Sequence, residues 1–332
     1  MGRTISAAAA AVLWAVLMAP ALAADRVVLI VGGADKQIYL PATLAQRLGY
    51  FRDQGLEVEM DSEPSGVSAT DVLLSGAAHG VVGAYDHAID LQAKGKSVQA
   101  IVLFTIVPGE AELVATKLAG EIRSPADFGG HTLGVTGLGS STSFLTLYLA
   151  QLHGVRAADV TLVPVGSGES FIDAMRHGKI AAGMTTEPTA SRLIAGGQAR
   201  LLVDLRTPEA TQKALGGIYP FACLYVRTDW LAGHKEQAQK LANALVKALR
   251  FIGTHTAAQV AAELPDDYFA GDKSLYVHSL AQAKSMFTPD GVMPPTGPAS
   301  VLKVVTTINS YVHSKNIDLS RTFTNEFVNA TR

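Results

Sequence analysis

The chain has 332 residues, 48% of them apolar and 17% charged, with 27 Lys and Arg against 29 Asp and Glu. That length predicts two lobes or one large domain with a substantial core, and the even, complex composition excludes a disordered or low-complexity protein. A formal charge of −2 without basic blocks excludes a nucleic-acid partner.

Met1, Gly2 and Arg3, the apolar run Ala7 to Met18 and the small-x-small triplet Ala21-Leu22-Ala23 predict a signal peptide over 1–23, cut before Ala24. The run is short for a membrane anchor, and no second apolar segment of about 18 residues follows it. The mature chain then carries 26 basic and 29 acidic residues, net −3. Cys223 is the only cysteine and lies deep in the chain, so it forms no internal disulfide and cannot be a lipoprotein's modified residue. A soluble periplasmic protein is the expectation.

RVVLIVGG at 26–33 reads as a doubly buried strand, and PATLAQRLGYF at 41–51 as a helix with Pro41 at its first position. LEVEM at 56–60 is a second strand, followed by SGVSATDVLLSG at 65–76, where Ser68 and Asp71 match a capping box and Gly76 suits a helix stop. AAHGVVGA at 77–84 is a third strand that delivers Tyr85 and Asp86. SVQAIVLFTI at 97–106 and AELVATK at 111–117 read as strands leading out of this unit.

The unit then recurs. TLGVTG at 132–137 is a strand, SSTSFLTLYLAQLHG at 140–154 a helix and TLVPV at 161–165 a strand. SGESFIDAMRHG at 167–178 repeats five of twelve places of the earlier stretch, with Ser170 and Asp173 at the capping spacing and Gly178 at the stop. KIAAGMTT at 179–186 delivers Glu187. ARLLVDL at 199–205 and GGIYPFACLYV at 216–226 are strands leading back, and amphipathic helices follow at 235–255, 272–287 and 298–314.

A duplicated βαβαβ unit predicts an α/β protein of two lobes, each with a largely parallel sheet whose carboxyl strand ends face a shared ligand cleft. Lobe 1 is expected over 24–112 plus 218–332 and the inserted lobe 2 over 113–217, with hinge crossings near 113–117 and 215–222. The strand–turn–helix at 135–149 starts its helix with Gly139, Ser140, Ser141 and Thr142. Free N–H groups, the helix dipole and the hydroxyls make it an anion seat, or Ser140 and Ser141 simply cap the helix. Asp35, Lys36 and Tyr39, Ser65 and Gly66, Tyr85 and Asp86, Ser167, Thr186 and Glu187 should also reach the cleft, with Tyr219 at the hinge. Tyr39 and Tyr85 serve equally as core residues, and Glu187 either binds a ligand amine or pairs with Arg192. No complete G-x-G-x-x-G, P-loop, G-x-S-x-G or H-E-x-x-H occurs, so no cofactor, metal site or catalytic residue is expected.

IYLPATLAQRLGYFRDQGLEVEM, VLLSGAAHGVVGAYDHAIDLQAKGK, ADFGGHTLGVTGLGSSTSFLTLYLAQLHGV and KSMFTPDGVMP resemble the bacterial substrate-binding proteins for nitrate, sulfonates and taurine, and relatives that bind thiamine pyrimidine precursors. The resemblance implies a type II periplasmic binding protein fold and partnership with an ABC transporter permease and its ATPase. It also implies ligand contacts at Gly139 to Thr142, the loop after the first strand, the turn at 65–66 and the strand end at 186–187. The expected activity is periplasmic capture, by a monomer, of a small organic anion or zwitterion: a sulfonate, taurine, nitrate or an aromatic carboxylate. A pyrimidine precursor or amine is the alternative ligand. Partnership with a signalling receptor, or an enzymatic role as a hydrolase or pyrimidine synthase relative, are the alternative functions.

Overall fold

The computed structural model describes residues 25–331; the expected signal peptide at 1–23 lies outside them. The chain runs through β1 (Asp25–Val31), α1 (Leu40–Arg47), α2 (Tyr50–Asp53), β2 (Leu56–Ser62), α3 (Gly66–Ser75), β3 (Gly80–Ala84), α4 (Asp86–Ala93) and β4 (Val98–Leu103). It continues through β5 (Glu110–Ala115), β6 (Thr132–Val135), α5 (Ser141–Leu152), β7 (Thr161–Pro164), α6 (Glu169–Arg176), β8 (Ala182–Thr186), α7 (Thr189–Ala195), β9 (Ala199–Leu205) and α8 (Pro208–Leu215). The last stretch is β10 (Ala222–Arg227), α9 (Thr228–Gly233), α10 (Lys235–Thr254), α11 (Ala257–Ala262), α12 (Lys273–Ala283), α13 (Gly297–Ile308), α14 (Ser310–His313) and α15 (Glu326–Asn329).

Two five-stranded sheets result, ordered β2-β1-β3-β10-β4 and β7-β6-β8-β5-β9. In each the first three strands are parallel, and the fourth, β10 or β5, runs antiparallel to both neighbours. The fourth strand is in both cases the one that has just crossed from the other lobe, so the duplicated units exchange a strand. Parallel strands must be connected over a sheet face, which places α3 and α5 where their N-termini meet the carboxyl strand ends.

The crossings differ from expectation on one side. β5 pairs with β8 from Glu110 onward, so residues 110–112, expected in lobe 1, belong to the second sheet, and the chain crosses at 104–109 instead of 113–117. The run AELVA reads as a strand in either sheet, and the punctuation that marks the crossing is Pro108-Gly109, with Gly109 at φ +67°. The return crossing occupies 216–221, where Tyr219 N–H donates to Ile106 O (3.1 Å) and Phe221 N–H to Thr105 O (2.9 Å), so the two crossings are bonded side by side.

Local signals hold with shifts. Gly76 ends α3 at φ +85°, but the cap at its start is Ser65, which accepts from Ser68 N–H, three residues before the expected Ser68. α6 starts after Gly168 without a side-chain cap, and Ser170 donates back to Ser167 O instead of capping. The expected helix 298–314 breaks at Asn309, whose side-chain Oδ1 accepts from Tyr311 and Val312 N–H and starts α14.

The main apolar core fills the first lobe and continues into Phe144, Leu145, Tyr148 and Leu149 of α5, Met184 of β8 and Leu205 of β9. α13 packs on both α4 and α5, tying the lobes together near the crossings. Among the described residues no helix is long and apolar enough to cross a membrane.

Candidate functional site

The carboxyl ends of the parallel strands converge on one chamber between the lobes. From the first lobe come Lys36, Ile38 and Tyr39 after β1, Gly66 at the start of α3, Ala84 and His87 at the β3–α4 junction, and Phe221 of the return crossing. From the second come Glu110 at the start of β5, Thr136 after β6, Ser140 to Thr142 at the start of α5, and Thr186 at the end of β8. The free space these residues enclose is about 10 Å³, close to the least that one water needs. The two lobes therefore meet closely around this chamber.

Bonds across the seam hold this closure. Ser141 Oγ donates to Asp86 Oδ1 (2.7 Å), and Gln37 N–H donates to Glu187 O (3.0 Å). The start of α5 thus faces an anion, the protein's own Asp86. Its other hydroxyls are committed locally: Thr142 Oγ1 accepts from Thr136 N–H (3.0 Å), and Ser140 Oγ donates to Gly137 O (2.6 Å). Tyr219 OH donates to Asp86 Oδ2 (3.1 Å), so both Asp86 oxygens are used.

Charge in the chamber is mixed. Burial pushes the Glu110 carboxyl well above the usual range, with Asp86 adding to the shift and Lys36 opposing it. Burial also raises Asp86, against His87, Ser141 and Tyr219. The buried Lys36 ammonium is pulled below its ordinary value by desolvation, while Asp35 and Glu110 hold it up; its Nζ donates to Gly32 O. Three chamber-lining side-chain atoms are buried without a hydrogen-bond partner: His87 Nε2, Glu110 Oε2 and Thr186 Oγ1. Buried polar groups are almost always satisfied, and three of the eight orphan side-chain atoms among the described residues gather around this one chamber.

The family described as NMT1/THI5 like matches residues 38–258. The chain belongs to that family. A solved structure from Bordetella bronchiseptica RB50 is 33% identical, with a TM-score of 0.87 over 92% of this chain and 96% of that one. The alkanesulfonate-binding protein SsuA from Xanthomonas axonopodis pv. citri, bound to MOPS, has a TM-score of 0.70 at 17% identity, covering 91% of this chain and 98% of its own. The periplasmic nitrate-binding protein NrtA from Synechocystis PCC 6803 has a TM-score of 0.69 at 12% identity over 92% and 87%. At such identities the last two show the fold, and the fold is that of type II periplasmic binding proteins. A search among curated proteins finds no match.

In this NMT1/THI5-like chain the sequence-predicted residues separate by their distance from the chamber. Lys36, Tyr39, Gly66, Ser140, Ser141, Thr142 and Thr186 line the chamber. Asp86 and Tyr219 stand one bond behind Ser141. Ser65 caps α3 at the seam, where a Cβ on Gly137 would lie 3.1 Å from its Oγ. Asp35, exposed, faces Gly168 across the same seam, with 3.5 Å between its Oδ2 and a Cβ built there. Gly139 and Ser167 are half-buried and do not line the chamber.

Two expectations are corrected. Tyr85 is fully buried in the first lobe, bonded to Thr322 Oγ1 and edge-on to Phe323, because α4 begins immediately after it and turns the side chain into the core. Glu187 does not pair with Arg192: it accepts from Ser191 N–H (3.0 Å), Ser191 Oγ (2.9 Å) and Arg206 Nη1 (2.5 Å), while Arg192 pairs with Glu169.

His87 and Glu110 escaped the sequence reading. His87 follows Tyr85-Asp86 by one helical step, and on a helix that rotation carries it to the chamber; Gly66 leaves it room, since a Cβ there would sit 2.7 Å from His87 Nε2. For Glu110 the available signal was the pair Glu110 and Glu112, alternating within a strand whose every residue is buried. Among the described residues no group of three His, Cys, Asp or Glu side chains converges to hold a metal ion.

Proposed function

We propose that this chain is the periplasmic solute-binding component of an ABC importer, capturing a small organic solute by closure of its two lobes. It works by binding alone, as a monomer delivered by the leader at 1–23, and the closed form offers a joint surface of both lobes to the permease and its ATPase. The observation that carries this reading is the interlobe chamber whose lining from both lobes leaves His87 Nε2, Glu110 Oε2 and Thr186 Oγ1 unpartnered. Contacts available only when both walls meet the solute are the ones that shift an open–closed equilibrium.

The solute is better described as zwitterionic or amine-bearing than as a simple anion. The helix start that would attract an oxyanion is already faced by Asp86, and Glu110 brings a carboxyl into the chamber itself. Lys36 leaves one cation for an acidic group.

A thermal-shift screen of small sulfonates, carboxylates, amino acids, amines and pyrimidines tests the proposal, since a ligand at about a hundred times its Kd stabilises the native state by about 2.7 kcal/mol. A selective rise with one class is the expected result. No rise with any compound would overturn it.

A further inference from the structure

We infer that the captured solute carries a protonated nitrogen with N–H groups, a primary ammonium or an amidinium, and that this nitrogen rests on Glu110 between His87 and Thr186. The inference depends on the solute-capture reading above and assigns the chemistry of one end of the chamber.

Each buried acid around the chamber has a side-chain donor except one. Asp86 takes Ser141 and Tyr219. Glu187 takes Ser191 and Arg206. Glu110 is 2% exposed and its Oε2 takes nothing, while the neighbouring cation Lys36 directs its Nζ to Gly32 O.

The surroundings of Glu110 repeat the deficit. Its direct partner across the β5–β8 ladder is Thr186, whose Oγ1 is also unpartnered, and from the opposite lobe His87 brings an unpartnered Nε2 to the same chamber. All three atoms can accept a hydrogen bond: a carboxylate oxygen, a hydroxyl and an imidazole nitrogen in one of its tautomers. A buried carboxyl demands a charged or donating partner, and the group that satisfies three acceptors with one positive charge is an ammonium or amidinium. A quaternary ammonium has no N–H to give and should fail. Because His87 stands on the first lobe and Glu110 and Thr186 on the second, the nitrogen would also bond the two lobes together.

The test uses the mature protein and matched probes: ω-amino acids and aminoalkanesulfonates of two to five carbons and benzamidine, set against their N-acetylated, trimethylated and deaminated counterparts. Members with a free protonated nitrogen should raise the melting temperature and the others should not. In calorimetric titration Glu110→Gln should weaken the best amine at least tenfold. Glutamine keeps an N–H donor, so a protonated Glu110 that merely donates to a carbonyl would leave the affinity nearly unchanged in that variant. Should Glu110→Gln fail to fold, Thr186→Val provides the measurement, with a threefold to tenfold loss confined to amine probes. Deaminated acids that bind as tightly as amines, or full affinity in the variant, would overturn the inference and leave solute capture standing. Silence from every probe would overturn both.

Discussion

Glu112 lies two residues beyond Glu110 on β5, fully buried, with Thr146 Oγ1 donating to its Oε2 (2.8 Å) and its Oε1 unpartnered. Burial pushes its pKa from 4.5 to about 8, with the Thr146 bond holding it back. Below 4.5 folded and unfolded chains both carry this proton; between 4.5 and about 8 only the folded chain does, so unfolding releases it and stability declines as pH rises. Above about 8 that contribution is lost in full. Glu112→Gln should therefore be more stable than the wild type at pH 8 by roughly 2–5 kcal/mol, at about 1.4 kcal/mol for each pH unit of displacement. It should differ little at pH 4. Asp86 and Glu110, displaced in the same direction, leave the variant a smaller slope of its own. Denaturant titrations of both proteins across this range check the prediction, and parallel pH curves would refute it.

Among the elements, β6 and β8 set glycine against glycine. Gly134 and Gly183 stand opposite each other in the parallel pair, and a Cβ on Gly183 would lie 2.5 Å from Gly134 O and 2.9 Å from its Cα and N, all backbone. Gly183→Ala can be accommodated only by moving a strand, and should cost about 3 kcal/mol, the upper part of the range for overpacking. A Cβ on Gly134 meets the tip of Ile180 at 2.5 Å, a side chain that can rotate, so Gly134→Ala should cost about 1 kcal/mol. Thermal melts of the two variants compare them directly, and equal losses would count against a backbone cause. The same strands show what the sequence discloses. Periodicity, glycine stops and the repeated stretch place β6, α5, β7 and β8 within a few residues, because those signals are local. Which sheet β5 joins, and where Glu187 points, depend on partners remote in the chain: Thr186 on β8 for Glu110, Arg206 nineteen positions on for Glu187. The cap of α3 is ambiguous in the sequence for a different reason, since Ser65 and Ser68 stand one helical turn apart and both fit the local pattern; only Ser65 has the extended backbone a cap requires.

For the whole molecule, what matters is how firmly the lobes hold together before a solute adds its own contacts. Ser141 Oγ to Asp86 Oδ1 crosses the seam between buried groups, one of them a carboxyl, and hydrogen bonds to charged groups contribute about 1.5–3 kcal/mol. Ser141→Ala leaves Asp86 with Tyr219 alone, on the first-lobe side, and removes the bond from the closed state only. The closed-to-open ratio should fall about tenfold for each 1.4 kcal/mol lost, and once the open form prevails the apparent Kd should rise by the same factor. If Ser141 acts through closure, the increase is common to every solute that binds, whatever its charge. Direct contact between Ser141 and an oxyanion would instead confine the loss to acidic solutes. Small-angle scattering during solute titration separates the two: in the closure case the variant reaches the same compact radius of gyration at about ten times the solute concentration, and Tyr219→Phe, which leaves the cross-seam bond in place, shifts the curve less. A variant that closes at the wild-type concentration would show that Ser141 and Asp86 merely touch when the lobes meet and do nothing to hold them.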